Sequence, residues 1–213
     1  MTIQLQKGFN TMGIDIFVIL YHIWLYHRVG ISPLITWSQM IFSFMNFIFL
    51  RQLILWTVSF LNFNSEYTNN TFFVLFQVGF FYLIQEFYMY FAHRFMHWNK
   101  FLYNWVHRRH HLLNAECFTT ATYMSPIEII VHIYPNIILG PVIFNFYFGY
   151  IFKEAFFIWS CLANFYFVWS HSGVNDSQYM PSIKHHWLHH KYYNVNYGSW
   201  LTDKLFGTIR YND

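Results

Sequence analysis

Long apolar stretches, broken by a few polar residues, dominate this chain, and about 20 such residues in a row suffice to cross a bilayer as a helix. Five stretches predict such helices. The first runs from Phe9 to Tyr26, blemished by Asp15 and His22. The second runs from Ile35 to Phe60 with Arg51 and Gln52 inside it, either as one long span or as a span ending near Leu50 followed by an interfacial segment. The third, Phe72 to Ala92, is the clearest, with Gln85 and Glu86 as its only strongly polar members. Two shorter ones, Ile127 to Phe144 and Ala155 to Trp169, form a hairpin, and Pro135, Gly140 and Pro141 are expected to interrupt the first of them. A polar, basic stretch follows the third span up to Tyr123, and a histidine-rich tail begins at Ser170. No internal repeat or long linker appears.

Composition agrees with a membrane reading. Of 213 residues, 56% are hydrophobic, 25% aromatic and only 10% charged, against about 25% charged in a soluble domain. A soluble core of this size could not hide so much apolar side chain. The expectation is an all-α integral membrane protein with four or five transmembrane helices. The first apolar run lacks a small-residue cleavage site and reads as a retained span, not a signal peptide. Cys117 and Cys161 are the only cysteines, without a C-x-x-C, so neither a disulfide framework nor a thiolate zinc site is indicated. The net charge of +3, without a basic run, argues against a nucleic-acid partner. Charge also orients the chain. Arg94, Lys100, Arg108, Arg109, Lys184, Lys191, Lys204 and Arg210 lie in the two polar segments, which places both on the cytosolic side. The hairpin leaves that side and returns to it, so the segments can meet. Residues 62 to 70 then face the other side, where Asn69-Asn70-Thr71 is a glycosylation sequon close to the membrane.

The histidines change the picture from membrane protein to metal site. His93 and His97 form H-x-x-x-H at the cytosolic end of the third span. His107, His110 and His111 form H-x-x-H-H, His186, His189 and His190 repeat it, and His171 opens the tail. On a helix, positions i, i+3 and i+4 share a face, so each group is expected to point one way. Nine imidazoles brought together suit two metal ions with four or five nitrogens each, and imidazole suits iron, zinc, copper and nickel. His22, His27 and His132 lack partners at such spacing and read as ordinary span or interface residues. His185 adjoins the last triplet but on another face. No Glu-x-x-His occurs, which argues against a carboxylate-bridged di-iron bundle. Glu86, seven residues before His93 on the same helix face, is expected to accept a hydrogen bond from a ligand histidine.

The ordered set 86-EFYMYFAHRFMH-97, 105-WVHRRHH-111, 121-ATYMSPIE-128, 169-WSHSG-173 and 185-HHWLHHKYYNVNYGSWLTDKLFGT-208 resembles the membrane fatty acid hydroxylase / sterol desaturase superfamily of histidine-box non-haem di-iron oxygenases. The resemblance covers Glu86 to Arg210. It implies N-terminal spans over residues 1–70 and a catalytic region over 71–213, with a cytosolic histidine-rich helical cap holding two iron ions, zinc being an adventitious replacement. The implied ligands are His93, His97, His107, His110, His111, His171, His186, His189 and His190, with Asn175 as a further candidate for a ligand or a metal-bound water. The implied reaction uses O2 and electrons from a b-type cytochrome and its reductase to hydroxylate or desaturate a C–H bond of a lipid, at the endoplasmic reticulum membrane if the source is eukaryotic. Two positions depart from the family's usual pattern: Ser125 stands where a histidine is common, and Thr202-Asp203 where Trp-Asp is common. The tail resembles the sterol-acting branches, so a sterol-like lipid is expected ahead of a fatty acyl or sphingolipid substrate. The rivals from other classes are a bis-histidine haem protein and a metal transporter.

Overall fold

Four helices carry the polar segments into register, and each begins or ends where side-chain chemistry requires. The computed structural model describes residues 13, 15–16, 19–20, 35–64, 70–113, 121–172 and 181–212. Most of the first expected span falls outside them, as do His22, His27, Asn69, Cys117 and Asn175.

Helix α1 is Trp37–Val58. Thr36 starts it with a capping box: its hydroxyl accepts the Gln39 N–H, and the Gln39 side chain accepts the Thr36 N–H at 2.8 Å. The helix runs unbroken through Arg51 and Gln52, so the alternative break near Leu50 does not occur. Arg51 is held there by Asp15, which accepts from Nε at 2.9 Å and Nη2 at 2.7 Å. Asp15 of the first apolar run and Arg51 of the second thus satisfy each other.

Helix α2, Thr71–Trp98, is capped by the Asn70 side chain. Its 28 residues rise about 42 Å, well beyond the roughly 30 Å of a hydrocarbon core. The helix therefore extends past Ala92, and that extension carries His93 and His97. Asn99 ends it and caps the short helix Lys100–Leu102, which passes into a π turn at Tyr103–His107 and a 3-10 turn at His110–Leu112.

Helix α3 spans Pro126–Phe148 and includes a π turn at Ile129–Ile133. Ser125 caps it through the Glu128 N–H at 3.1 Å, and Pro126 takes the first helical position, where a missing N–H costs nothing. The expected interruption at Pro135, Gly140 and Pro141 does not occur. A helical proline leaves the carbonyl four residues earlier without its donor. Here Tyr88 Oη donates to Val131 O at 2.6 Å and Trp159 Nε1 to Ile137 O at 2.8 Å. Gly140 lets α2 approach: a Cβ there would lie 2.8 Å from the Phe81 Cα. Helix α4, Lys153–Trp169, returns alongside. Among the described residues, α1, α2 and α3 are long and apolar enough to cross a membrane.

At one end of the bundle, strand β1 (Phe63–Asn64) pairs in parallel with β2 (Ile151–Phe152), and Gln77 accepts the Phe152 N–H at 2.9 Å. Phe81 centres the core, meeting Phe144 and Trp159 edge-on. Trp37, Ile41 and Phe44 of α1 and Phe72, Phe76 and Phe91 of α2 point outward, as on a lipid-facing surface. At the opposite end, helices α5 (Pro181–Tyr192) and α6 (Trp200–Leu205) cover the ends of the bundle. Asn196 shapes the loop between them. It takes a left-handed conformation that Asn tolerates, and its amide bonds His185 O, Arg210 O and Arg210 N.

Candidate metal centre

Nine histidines from four chain segments meet at the capped end. They form two groups: His93, His97, His107, His111 and His189, and His110, His171, His186 and His190. Within each group one nitrogen per ring lies within 4.8 Å of all the others. All but His97 are buried.

Helix geometry explains the division and corrects the expectation that each H-x-x-H-H triplet points one way. On α5, successive residues diverge by about 100°. His186 and His190 stack one turn apart, with their Nε2 atoms 3.1 Å apart, while His189 turns away to His111 at 3.2 Å. In the other triplet a π turn ends at His107 and a 3-10 turn begins at His110. His107 and His111 join His93 and His97, whereas His110 faces His171 and His190, both at 3.2 Å. Each triplet thus contributes to both groups.

The hydrogen bonds behind the rings test whether a metal fits. His93 Nδ1 is 2.6 Å from Tyr197 O, and His189 Nδ1 is 2.7 Å from Val195 O. A carbonyl only accepts, so Nδ1 carries the proton and Nε2 presents a bare lone pair. His171 Nδ1 is placed the same way, 3.0 Å from Phe167 O. Yet His93 Nε2 stands 3.0 Å from His107 Nε2, and His171 Nε2 stands 2.9 Å from His186 Nε2. Converging lone pairs repel unless a cation sits among them. Two nitrogens bound to one ion at ~2.0–2.1 Å and at right angles are ~2.9 Å apart, close to the spacing here. The donor set fits a metal.

Electrostatics agree. Burial, reinforced by neighbouring imidazoles, holds His107, His110, His186, His189 and His190 well below the ordinary histidine value. Burial, partly offset by the bond to Phe167 O and reinforced by His93, lowers His171 to about 4. These rings stay neutral at physiological pH, the form that ligates a metal.

Several supporting residues differ from expectation. Glu86 accepts no bond from the nine histidines; its carboxylate takes the hydroxyls of Ser199 and Tyr82. Seven residues before His93, it shares the helix face but sits about 10 Å lower. The carboxylate that does reach a ring is Glu128, whose Oε1 accepts from His107 Nδ1 at 2.7 Å. A signal was present, since an acidic residue in the first turn after Ser-Pro at the histidine end is rare in a chain with nine Asp and Glu. His132 is no isolated span residue either: its ring centroid lies 5.2 Å from that of His93. His185 belongs to neither group and binds Asp203 at 2.9 Å. Asp203 also accepts from Tyr197 N, Gly198 N and Thr208 Oγ1, fixing the loop whose carbonyls orient His93 and His189. Burial pushes its carboxyl up, but these hydrogen bonds outweigh that and hold it low. Asn175 lies outside the described residues.

Beneath the histidines is a small cavity of about 40 Å³, reached by His93 of the first group and His110, His171 and His186 of the second. Its other walls include Met89, Ile133, Ile137, Ala163 and Phe167.

The fatty acid hydroxylase family model matches residues 78–208, which takes in all nine histidines. The chain belongs to that family. It is 31% identical over 147 residues to a putative methylsterol monooxygenase of Dictyostelium discoideum, covering 64% of this chain and 51% of that protein. It is 28% identical over 133 residues to a methylsterol monooxygenase of Aspergillus fumigatus, covering 59% and 44%. Identity to a Delta(7)-sterol 5(6)-desaturase of Saccharomyces cerevisiae is 30% over 135 residues, covering 59% and 33%. The chain thus spans about half or less of the length of these relatives. No solved structure matches significantly.

Proposed function

We propose that this fatty acid hydroxylase family member is a membrane-bound di-iron oxygenase that hydroxylates or desaturates a sterol-like lipid. The observation that carries the reading is the pair of convergent imidazole groups above a cavity set among apolar helices. His93, His97, His107, His111 and His189 would hold one iron, and His110, His171, His186 and His190 the other. Bound iron supplies the O2-dependent attack on an unactivated C–H bond that no side chain here can perform. The chain's own part is placement. Tyr197 O, Val195 O, Phe167 O and Glu128 keep the Nδ1 protons of His93, His189, His171 and His107 on the far side of the rings, so those four Nε2 atoms stay available. The apolar residues beside the cavity, Met89, Ile133, Ile137, Ala163 and Phe167, would meet the reacting end of the lipid and exclude water. The sterol preference rests on the names of the relatives. The basic residues at the histidine end support a cytosolic placement of that end and docking of an acidic electron donor such as a b-type cytochrome.

The test is metal content with an absorption spectrum on protein purified anaerobically in detergent. We expect about two irons per chain and no Soret band; one haem instead, or no metal after reconstitution, would overturn the reading. His107→Ala and His110→Ala should each abolish turnover of a methylsterol and reduce iron toward one per chain, because each strips a different group. Gain of one oxygen or loss of two hydrogens on an acyl lipid but never on a sterol would move the substrate to the acyl branch.

A further inference from the structure

Glu128, His132 and Asn136 follow one another at four-residue intervals on α3, and all three line the cavity. Each carries a buried polar atom without a hydrogen-bond partner among the described residues: Glu128 Oε2, His132 Nδ1 and Asn136 Oδ1. Glu128 is already engaged with His107 through its other oxygen. The remaining two are not explained by the metal groups. The hydrogen-bonding partner of His132 Nε2 and of Asn136 Nδ2 is the Met89 sulfur, a weak acceptor, at 3.1 and 3.5 Å, and His132 Nδ1 stands 3.9 Å from Glu128 Oε1, beyond hydrogen-bond distance. A buried polar group left unsatisfied is costly, and here two stand one helical turn apart on the cavity wall.

We propose that His132 and Asn136 form a subsite that binds a hydroxyl group of the lipid substrate. This rests on the lipid-oxidising reading above and deepens it. The chemistry of the pair matches an alcohol. An imidazole nitrogen accepts the O–H proton, and a carboxamide, which offers a donor on one side and an acceptor on the other, pairs with the hydroxyl oxygen or its proton according to how it is turned. Whichever way the amide is turned, one half of it lacks a protein partner. Position adds a constraint on the substrate. The His132 ring adjoins His93, with centroids 5.2 Å apart, and lies 6.4 Å from His107. A hydroxyl held there stands next to the five-histidine group. The oxidised carbon therefore belongs to the hydroxyl-bearing end of the lipid, within a few bonds of the alcohol, and not to a remote chain terminus. Ring alcohols with a neighbouring alkyl substituent have that layout; unsubstituted acyl chains do not.

The experiment measures equilibrium binding to the full chain in detergent of two tritiated probes, methylcholestanol and its deoxy counterpart methylcholestane. Wild-type protein should prefer the alcohol roughly tenfold or more, the worth of a buried hydrogen bond. Asn136→Leu and Asn136→Ala should erase that preference by weakening the alcohol alone, with iron content and melting temperature unchanged. Equal binding of both probes by the wild type means the polar atoms hold water only, which overturns the subsite while sterol oxidation stands. Preference retained in both variants places the hydroxyl elsewhere and also overturns it. Binding of neither probe removes the sterol reading and the subsite together.

Discussion

At the scale of single residues, the consequential group is Glu128. It supplies no nitrogen to either cluster, yet it accepts the His107 Nδ1 proton and so decides which nitrogen faces the metal site. Carboxylates in this role raise ligand basicity, and losing one typically costs 10–100-fold in metal affinity. Glu128→Gln keeps the shape and removes the charge. We expect metal affinity of the five-histidine group to fall about tenfold or more, while the four-histidine group, which Glu128 does not touch, keeps its affinity. Competition with a graded chelator followed by metal counting reads the difference. Equal loss from both groups would mean that Glu128 acts on the fold and not on His107. Ser125, by contrast, departs from the family's usual histidine without touching the imidazoles; its hydroxyl starts α3.

At the scale of elements, the loop between α5 and α6 carries the site as much as any helix does. Its carbonyls at Val195 and Tyr197 orient His189 and His93, and Asp203 pins it through Tyr197 N and Gly198 N. Asp203→Asn retains one acceptor oxygen and loses the charge that meets four donors. Hydrogen bonds to a charged group contribute about 1.5–3 kcal/mol each, so the loop should loosen. The expected outcome is faster amide exchange over residues 193–199, weaker iron retention and, on reloading at high iron, recovered turnover. Exchange that stays at the wild-type rate would show that Asp203 does not hold the loop. The same element scale explains where sequence patterns misjudged α3. Proline reads as a breaker because it lacks an N–H, but Tyr88 and Trp159 supply the missing donors from neighbouring helices. Nothing local to residues 135–141 could have announced that.

At the scale of the whole molecule, two ends with different chemistry face apart. One holds the β1–β2 pairing; the other holds all nine histidines under α5 and α6. The proposed cytosolic placement of the basic residues puts Lys184 and Asn62 on opposite sides of the membrane. In a chain whose Cys117 and Cys161 are replaced by serine, Lys184→Cys should react with an impermeant maleimide from the cytosolic face only, and Asn62→Cys from the other face only. Labelling of both from one side would contradict an odd number of crossings between α1 and the cap.

The sequence by itself determined the helical membrane class, because apolar run length and the scarcity of charge leave few other ways to satisfy the backbone. It also singled out the nine histidines that the structure brings together, since their spacing and their place at span ends are properties of the chain. Only the tertiary structure decided how those histidines divide. Adjacent residues such as His189 and His190 diverge by ~100°, and which neighbour each then meets depends on segments far away in sequence. It likewise decided that Glu128, not Glu86, reaches a ring, because a hydrogen bond requires the right height as well as the right face. And it decided that His132 and Asn136, unremarkable in a span, each leave a buried polar atom without a partner among the described residues, on the wall of a cavity that exists only when α2, α3 and α4 come together.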